Sequence, residues 1–170
     1  MRLALYEPDI PQNTGTILRL GACLGFEVHL IEPTGFPGFD RALRRAGMDY
    51  LDRVASVRHI SWTAFDAWRR TERLRLVLFT TAAQRSYLDC RYGPQDILLF
   101  GRESAGVPDA VHAAADERVT IPMQPGMRSL NVAMAAAMAA GEAIRQLRAP
   151  GSFGDRELRC RGGGWSSRAS

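Results

Sequence analysis

Lysine is absent from this 170-residue sequence; all 22 basic residues are arginine. Without a Gly-Lys-Ser/Thr, a nucleotide-gripping P-loop is excluded. Cysteine is scarce, with only Cys23, Cys90 and Cys160, widely spaced and with no C-x-x-C. An odd, scattered set argues against a disulfide framework or a zinc site and fits a reduced, cytoplasmic setting. The three histidines, His29, His59 and His112, are equally scattered, so no metal is expected. Long hydrophobic runs are missing too. The longest nearly apolar stretch, VAMAAAMAAG, is too short to span a bilayer, so no membrane partner is expected. The first residues enter an apolar run, RLALY, without the layout of a signal peptide. No G-x-G-x-x-G follows that run, which argues against a dinucleotide-dependent dehydrogenase.

What is present is an alternation. LALY (3–6), VHLI (28–31), LVLF (within 74–79), ILLF (97–100) and VTIP (119–122) have the continuous apolar character of strands covered on both faces. Between them lie helical patterns near 14–25, 38–47, 62–71 and 108–115, and a long one over 129–148. Strand, helix, strand in this order predicts an α/β fold with a mostly parallel sheet flanked by helices. Residues 1–149 form one domain on this pattern. Residues 150–170, rich in Gly, Ser and Arg with little to bury, are expected to be a disordered tail. The formal net charge of +4 is a mild signal for an anionic partner, and arginine can grip phosphate bidentately.

Three stretches carry candidate chemistry. In EPDIPQNTGTILRLGACLG (7–25), two prolines and Asp9 break the first strand, and Asn13 or Thr14 can cap a helix. Ile17, Leu20, Gly21 and Leu24 form its core stripe, which leaves Arg19 on the opposite side. That arginine is either simply solvated or aimed across the sheet edge where ligands bind. In ILLFGRESAGVP (97–108), Gly101 can let a ligand lie against the main chain, and Gly106 can take a left-handed turn. In RVTIPMQPGMRSLNVAMAAAMAAGEAIRQL (118–147), a strand ends at Pro122, and Ser129 caps a helix lined with alanine and glycine, suited to close packing. Arg41, Arg44 and Arg45 share one helix face, as a solvated surface or as an RNA-phosphate patch.

Taken in order, E-P-D-I-P-Q-N-T-G-x-x-x-R, F-G-x-E-x-x-G-V-P and I-P-M followed by S-L-N-V resemble the three motifs of the SPOUT RNA methyltransferases. LYEPDIPQNTG, IEPTGF (31–36) and LRRAGMDY (43–50) resemble the TrmL-type subgroup, which methylates the wobble ribose of tRNA. The resemblance covers nearly all of 1–148. It implies a C-terminal deep trefoil knot, an obligate homodimer, and S-adenosyl-L-methionine (AdoMet) as methyl donor, with S-adenosyl-L-homocysteine as product. Pattern alone would predict an ordinary doubly wound sheet, because knots are essentially absent from general topology rules. The implied cofactor residues are Phe79, Thr80, Gly101, Glu103, Ile121, Met123, Ser129 and Leu130. On this reading Gly101 clears room for the cofactor, and Glu103 orders its loop by accepting backbone or arginine hydrogen bonds. The implied catalytic set is Arg19 with Asn13, Ser129 and Asn131. Arg19, Arg41, Arg44, Arg45 and Arg128 are the candidate RNA contacts. An arginine stays protonated, so Arg19 suits holding a phosphate and stabilising charge on the 2'-oxygen better than acting as a base. The expected activity is 2'-O-methylation of C or modified U at the first anticodon position, with a leucine tRNA as the expected substrate. The same transfer at another tRNA or rRNA site is the alternative. A non-catalytic RNA-binding protein is the alternative from a different class.

Overall fold

The computed structural model describes residues 1–37 and 55–147. Six strands are arranged in one parallel sheet: β1 (Arg2–Tyr6), β2 (Glu27–Ile31), β3 (Ser56–His59), β4 (Arg75–Phe79), β5 (Asp96–Phe100) and β6 (Glu117–Val119). Their spatial order is β3-β2-β1-β5-β4-β6. Among the described residues four α-helices accompany them: α1 (Pro11–Leu24), α2 (Trp62–Thr71), α3 (Asp109–Ala114) and α4 (Val132–Leu147). The described helix 62–71 has the expected bounds. The candidate helix 38–47, with Arg41, Arg44 and Arg45, lies outside the described residues, as does the 150–170 tail.

The apolar runs bury both faces because successive side chains alternate. Leu3, Leu5, Val28, Leu30, Leu98 and Phe100 pack with Ile17 and Leu18 of α1 and with Ala133, Ala136, Ala139 and Ala143 of α4. Ala4, Tyr6, Leu76, Leu78, Ile97 and Leu99 pack with Phe65 of α2 and Val111 of α3. Alanines on α4 let its backbone lie close to the sheet and to α1.

Four expectations are corrected. The helix after β1 starts at Pro11 rather than near 14. Proline occupies its first turn, where its missing N–H costs nothing, and Ile10 is the capping position without any side-chain bond. Its buried stripe is Thr14, Gly15, Ile17, Leu18 and Gly21, with Leu20 and Leu24 only partly covered. The last helix begins at Val132, not at Ser129. Asn131 caps it, its Oδ1 accepting the N–H groups of Ala133 (2.8 Å) and Met134 (3.3 Å). β6 ends at Val119 rather than running to Pro122. Thr120 leaves the ladder and is clasped by the loop after β4: its N–H donates to the Arg85 carbonyl at 2.8 Å, and its carbonyl accepts from Tyr87 N–H at 2.8 Å. Finally, β3 is a strand that no apolar run announced. SVRH buries only His59, and the strand is fixed at the sheet edge by its ladder to β2 and by a 2.9 Å bond between His59 and the fully buried His29.

Candidate active site

The C-terminal ends of β4, β5 and β6 meet the start of α1 and the start of α4 around a cleft of about 570 Å³. It lies beside the boundary between β1 and β5, where strand order reverses, which is the usual ligand crevice of an open parallel sheet. Phe79 and Phe100, stacked with centroids 4.9 Å apart, end their strands at this cleft. All eight residues expected at the cofactor line this one space: Phe79, Thr80, Gly101, Glu103, Ile121, Met123, Ser129 and Leu130. They come from three separate stretches of chain, so their convergence is a property of the fold and not of local sequence.

The loop 101–106 closes on itself. Arg102 N–H donates to the Gly106 carbonyl at 3.0 Å, and Gly106 N–H returns to the Arg102 carbonyl at 2.8 Å. Gly106 has φ +68°, the left-handed conformation expected of it. Gly101 lines the cleft and meets a second constraint as well. A Cβ there would stand 2.7 Å from the Gly106 carbonyl carbon and 2.9 Å from its Cα. The bare position is therefore demanded first by the loop's own main chain, which in turn shapes the rim of the cleft.

Glu103 ties this loop to two helix starts. Its Oε1 accepts from the Asn13 amide at 3.0 Å, and its Oε2 from Asp9 N–H at 3.1 Å. Asn13 Oδ1 in turn accepts from the Asn131 amide at 2.9 Å. Asn13 therefore caps nothing; it bridges Glu103 to the residue that caps α4. Glu103 bonds no arginine among the described residues. The neighbouring Arg102 takes the ionic role, its Nη1 lying 3.2 Å from Glu7. Burial, and then the adjacent Asp9 carboxylate, push the Glu103 carboxyl above the usual range.

Arg19 and Arg128 are not brought into the cleft. Arg19 is exposed on α1, away from the buried stripe, and Arg128 is exposed on the loop just before Ser129. Thr81, Ala82 and His112 line the cleft from outside the motif stretches, and Ile10 and Val107 line it from motif positions to which the sequence assigned no role. His112 sits four residues after Pro108, one turn into α3, and a helix-face argument could have placed it. A second recess of similar volume opens at the opposite end of the sheet, among Arg69, Arg70, Arg73 and Arg75. Three of its four guanidiniums are spent internally: buried Arg69 on Asp66, Asp116 and the Ala114 carbonyl, Arg70 on Asp66, and Arg75 on Asp96. Among the described residues no group of three or more His, Cys, Asp or Glu could hold a metal ion. No described helix is long and apolar enough to cross a membrane.

The cleft suits AdoMet on the structure's own terms. Its volume lies within the range of small-molecule sites, roughly 300–1,000 Å³. It has aromatic and aliphatic walls, and its rim is irregular backbone at 80–82 and 101–107, whose main-chain groups can read a polar ligand.

Known proteins agree with this geometry. A tRNA (cytidine(34)-2'-O)-methyltransferase of Beijerinckia indica is 66% identical over 145 residues, covering 85% of this chain and 91% of the relative. The enzyme of that name from Escherichia coli K12 is 41% identical over 154 residues, covering 89% and 97%. A solved structure described as "Structural insights into the 2-OH methylation of C/U34 on tRNA" superposes with a TM-score of 0.77 at 42% identity, over 86% of this chain and 95% of that one. The SpoU methyltransferase AviRb from Streptomyces viridochromogenes, solved in complex with AdoMet, has the same TM-score at 26% identity, over 86% and 57%. The family model for SpoU rRNA methylases matches residues 1–141, and with the three motif stretches meeting at one cleft, the chain belongs to the SpoU rRNA methylase family.

Proposed function

We propose that this protein transfers a methyl group from AdoMet to the ribose 2'-hydroxyl of nucleotide 34 in tRNA, a C or modified U, with a leucine tRNA as substrate. The observation that carries the reading is the single cleft lined by all eight expected cofactor residues, braced by the Glu103–Asn13–Asn131 chain. Relatives that share 41–66% of their residues with this chain bear the corresponding name.

AdoMet, when bound, would supply an electrophilic methyl on a cationic sulfur: the S–methyl bond would break as the 2'-oxygen–methyl bond formed, the hydroxyl proton would pass to solvent, and S-adenosyl-L-homocysteine would be the product. The chain's part is to bind and align. Thr80, Gly101 and Ile121 present backbone to the cofactor, with Phe79, Met123 and Leu130 as its apolar walls. Glu103 and Asn13 keep the 101–106 loop and α1 in register, Asn131 does so for the start of α4, and Ser129 presents its hydroxyl at the cleft. Arg19, a permanent cation, holds the target phosphate and stabilises charge developing on the 2'-oxygen; Arg128, Arg41, Arg44 and Arg45 extend the phosphate contact. Positioning of this kind supplies much of the rate in a direct displacement.

The reading includes two features of the whole molecule. One is the knot: the chain after β6 passes beneath the 80–92 loop. Supporting it, that loop grips Thr120 on one side and the last turn of α4 on the other, where Gln146 bonds the Cys90 carbonyl (2.9 Å) and Tyr92 N–H (3.0 Å). The other is a homodimer. Met127, Leu130, Met134 and Met138 leave 41–65% of their surface exposed along α4 and the loop before it, an apolar stripe suited to a second copy.

Labelled AdoMet and leucine-tRNA transcripts test the chemistry. Label should enter the ordinary transcript and fail to enter one carrying 2'-deoxyribose at nucleotide 34. Equal incorporation into both would refute the ribose assignment.

A further inference from the structure

We infer that Asp9 is a positioning residue for the cofactor cleft, holding residues 102–104 of its rim in the shape the methyl donor needs. The inference rests on the reading of that cleft as the AdoMet site. Asp9 itself does not line the space, whereas Ile10 beside it and Arg102, Glu103 and Ser104 across from it all do. It therefore acts through those neighbours.

Three successive residues converge on it. Asp9 Oδ1 accepts Glu103 N–H at 3.2 Å, while Asp9 N–H donates to Glu103 Oε2 at 3.1 Å, a reciprocal pair. Asp9 Oδ2 accepts the Ser104 hydroxyl. The same oxygen faces Arg102 Nε at 3.6 Å. That Nε is buried and has no hydrogen-bond acceptor, so the Asp9 charge is what compensates it on that side. Glu7 takes the other end of the guanidinium.

Asp9 is also held from behind. A Cβ on Gly35 would come within 2.5 Å of the Asp9 Cβ, and Gly35 N–H donates to the Pro8 carbonyl at 2.9 Å. The segment after β2 thus packs directly on the β1–α1 loop and leaves Asp9 no room to retreat. The Glu103 bond, the Ser104 hydroxyl and two backbone N–H groups hold its carboxyl down to about 2, so it is an anion at any working pH. A fixed anion that meets three consecutive residues of one loop through two N–H or O–H donors and a guanidinium sets that loop's position more sharply than any single contact.

The test uses the full chain with Asp9→Asn, which preserves shape and removes the charge, together with Ser104→Ala and the double variant. AdoMet Kd is read by calorimetry, and KM for AdoMet and for tRNA by methyl transfer. Asp9→Asn is expected to raise the Kd and KM for AdoMet about tenfold, leaving kcat and the tRNA KM within about twofold. Ser104→Ala should raise them less, and adding it to Asp9→Asn should change little further, because both act on one contact. Unchanged AdoMet constants would overturn the inference. So would a fall in kcat alone, the signature of a smaller folded fraction, or full additivity of the two changes. If Asp9→Asn does not fold, amide exchange over 101–107 in Ser104→Ala decides: faster exchange supports the inference, and unchanged exchange overturns it. A wild-type chain that binds AdoMet but methylates no tRNA would count against the substrate reading, while the Kd comparison still judges Asp9.

Discussion

Gly101 and Arg19 make opposite predictions about what a single side chain controls. Gly101→Ala forces a methyl against the Gly106 backbone, a strain of about 1–3 kcal/mol with no flexible neighbour to absorb it. AdoMet affinity should fall at least tenfold by calorimetry, with a lower melting temperature; an unchanged Kd would contradict the geometry of the rim. Arg19→Ala removes an exposed guanidinium outside the cleft. Methyl transfer should drop a hundredfold or more, roughly the scale of a lost transition-state contact, while AdoMet Kd stays within about twofold. Parallel loss of both would end the proposed division of labour. Gly101 and Glu103 were legible in the sequence because a glycine and an acid at a strand's end have few other uses. The role of Gly101 was legible only in part, since its closest neighbour is Gly106 and no ligand need be invoked. The local pattern reads Asp9 only as a strand breaker. Its partners lie 94 and 95 positions away, and no local pattern records them.

The start of α4 shows how an element serves a site. Asn131→Ala removes the acceptor of two N–H groups and the link to Asn13. A loss of about 1 kcal/mol in urea unfolding is expected. Asn131→Asp keeps the cap and loses only the amide that donates to Asn13, so stability should hold while methyl transfer falls. Activity equal to wild type in that variant would detach the Asn13 bridge from function. At the other edge of the sheet, β3 depends on a histidine pair. Burial brings His29 down to about 4 from its ordinary 6.5, the neighbouring Glu27 only partly offsetting it. The unfolded chain then binds a proton near pH 6.5 that the folded chain refuses until about pH 4. Stability is therefore full above 6.5 and declines between 6.5 and 4, by roughly 3 kcal/mol over the whole window. Asp9, held near 2, begins to withdraw its own contribution only below 3.8. Urea midpoints from pH 7.5 to 4.5 should slope in the wild type and slope less in His29→Gln, where His59, also held below its ordinary value by burial, still titrates; identical slopes would move the titrating group elsewhere. Sequence periodicity found the buried strands because they are continuous apolar runs. It missed β3 because an edge strand that buries one residue of four has no apolar signature.

For the whole molecule, the alternation of strands and helices gave the parallel α/β class, yet the order β3-β2-β1-β5-β4-β6 depends on pairings between distant segments that no window of sequence contains. The proposed knot and dimer have the same long-range character, which is why motif resemblance and not periodicity suggested them. The proposed dimer is open to a direct test: Met134→Glu with Met138→Glu puts two charges on the exposed stripe of α4 and should convert it to a monomer in light scattering. A double variant that remains dimeric would place the interface on another face. The central claim, methylation of the wobble ribose, is tested most directly by incubating purified tRNA with the protein and AdoMet, digesting it, and locating the added mass by mass spectrometry. A single added methyl group on the ribose of nucleotide 34 is the expected result. An increment on any other nucleotide, or on a base instead of the ribose, would contradict it.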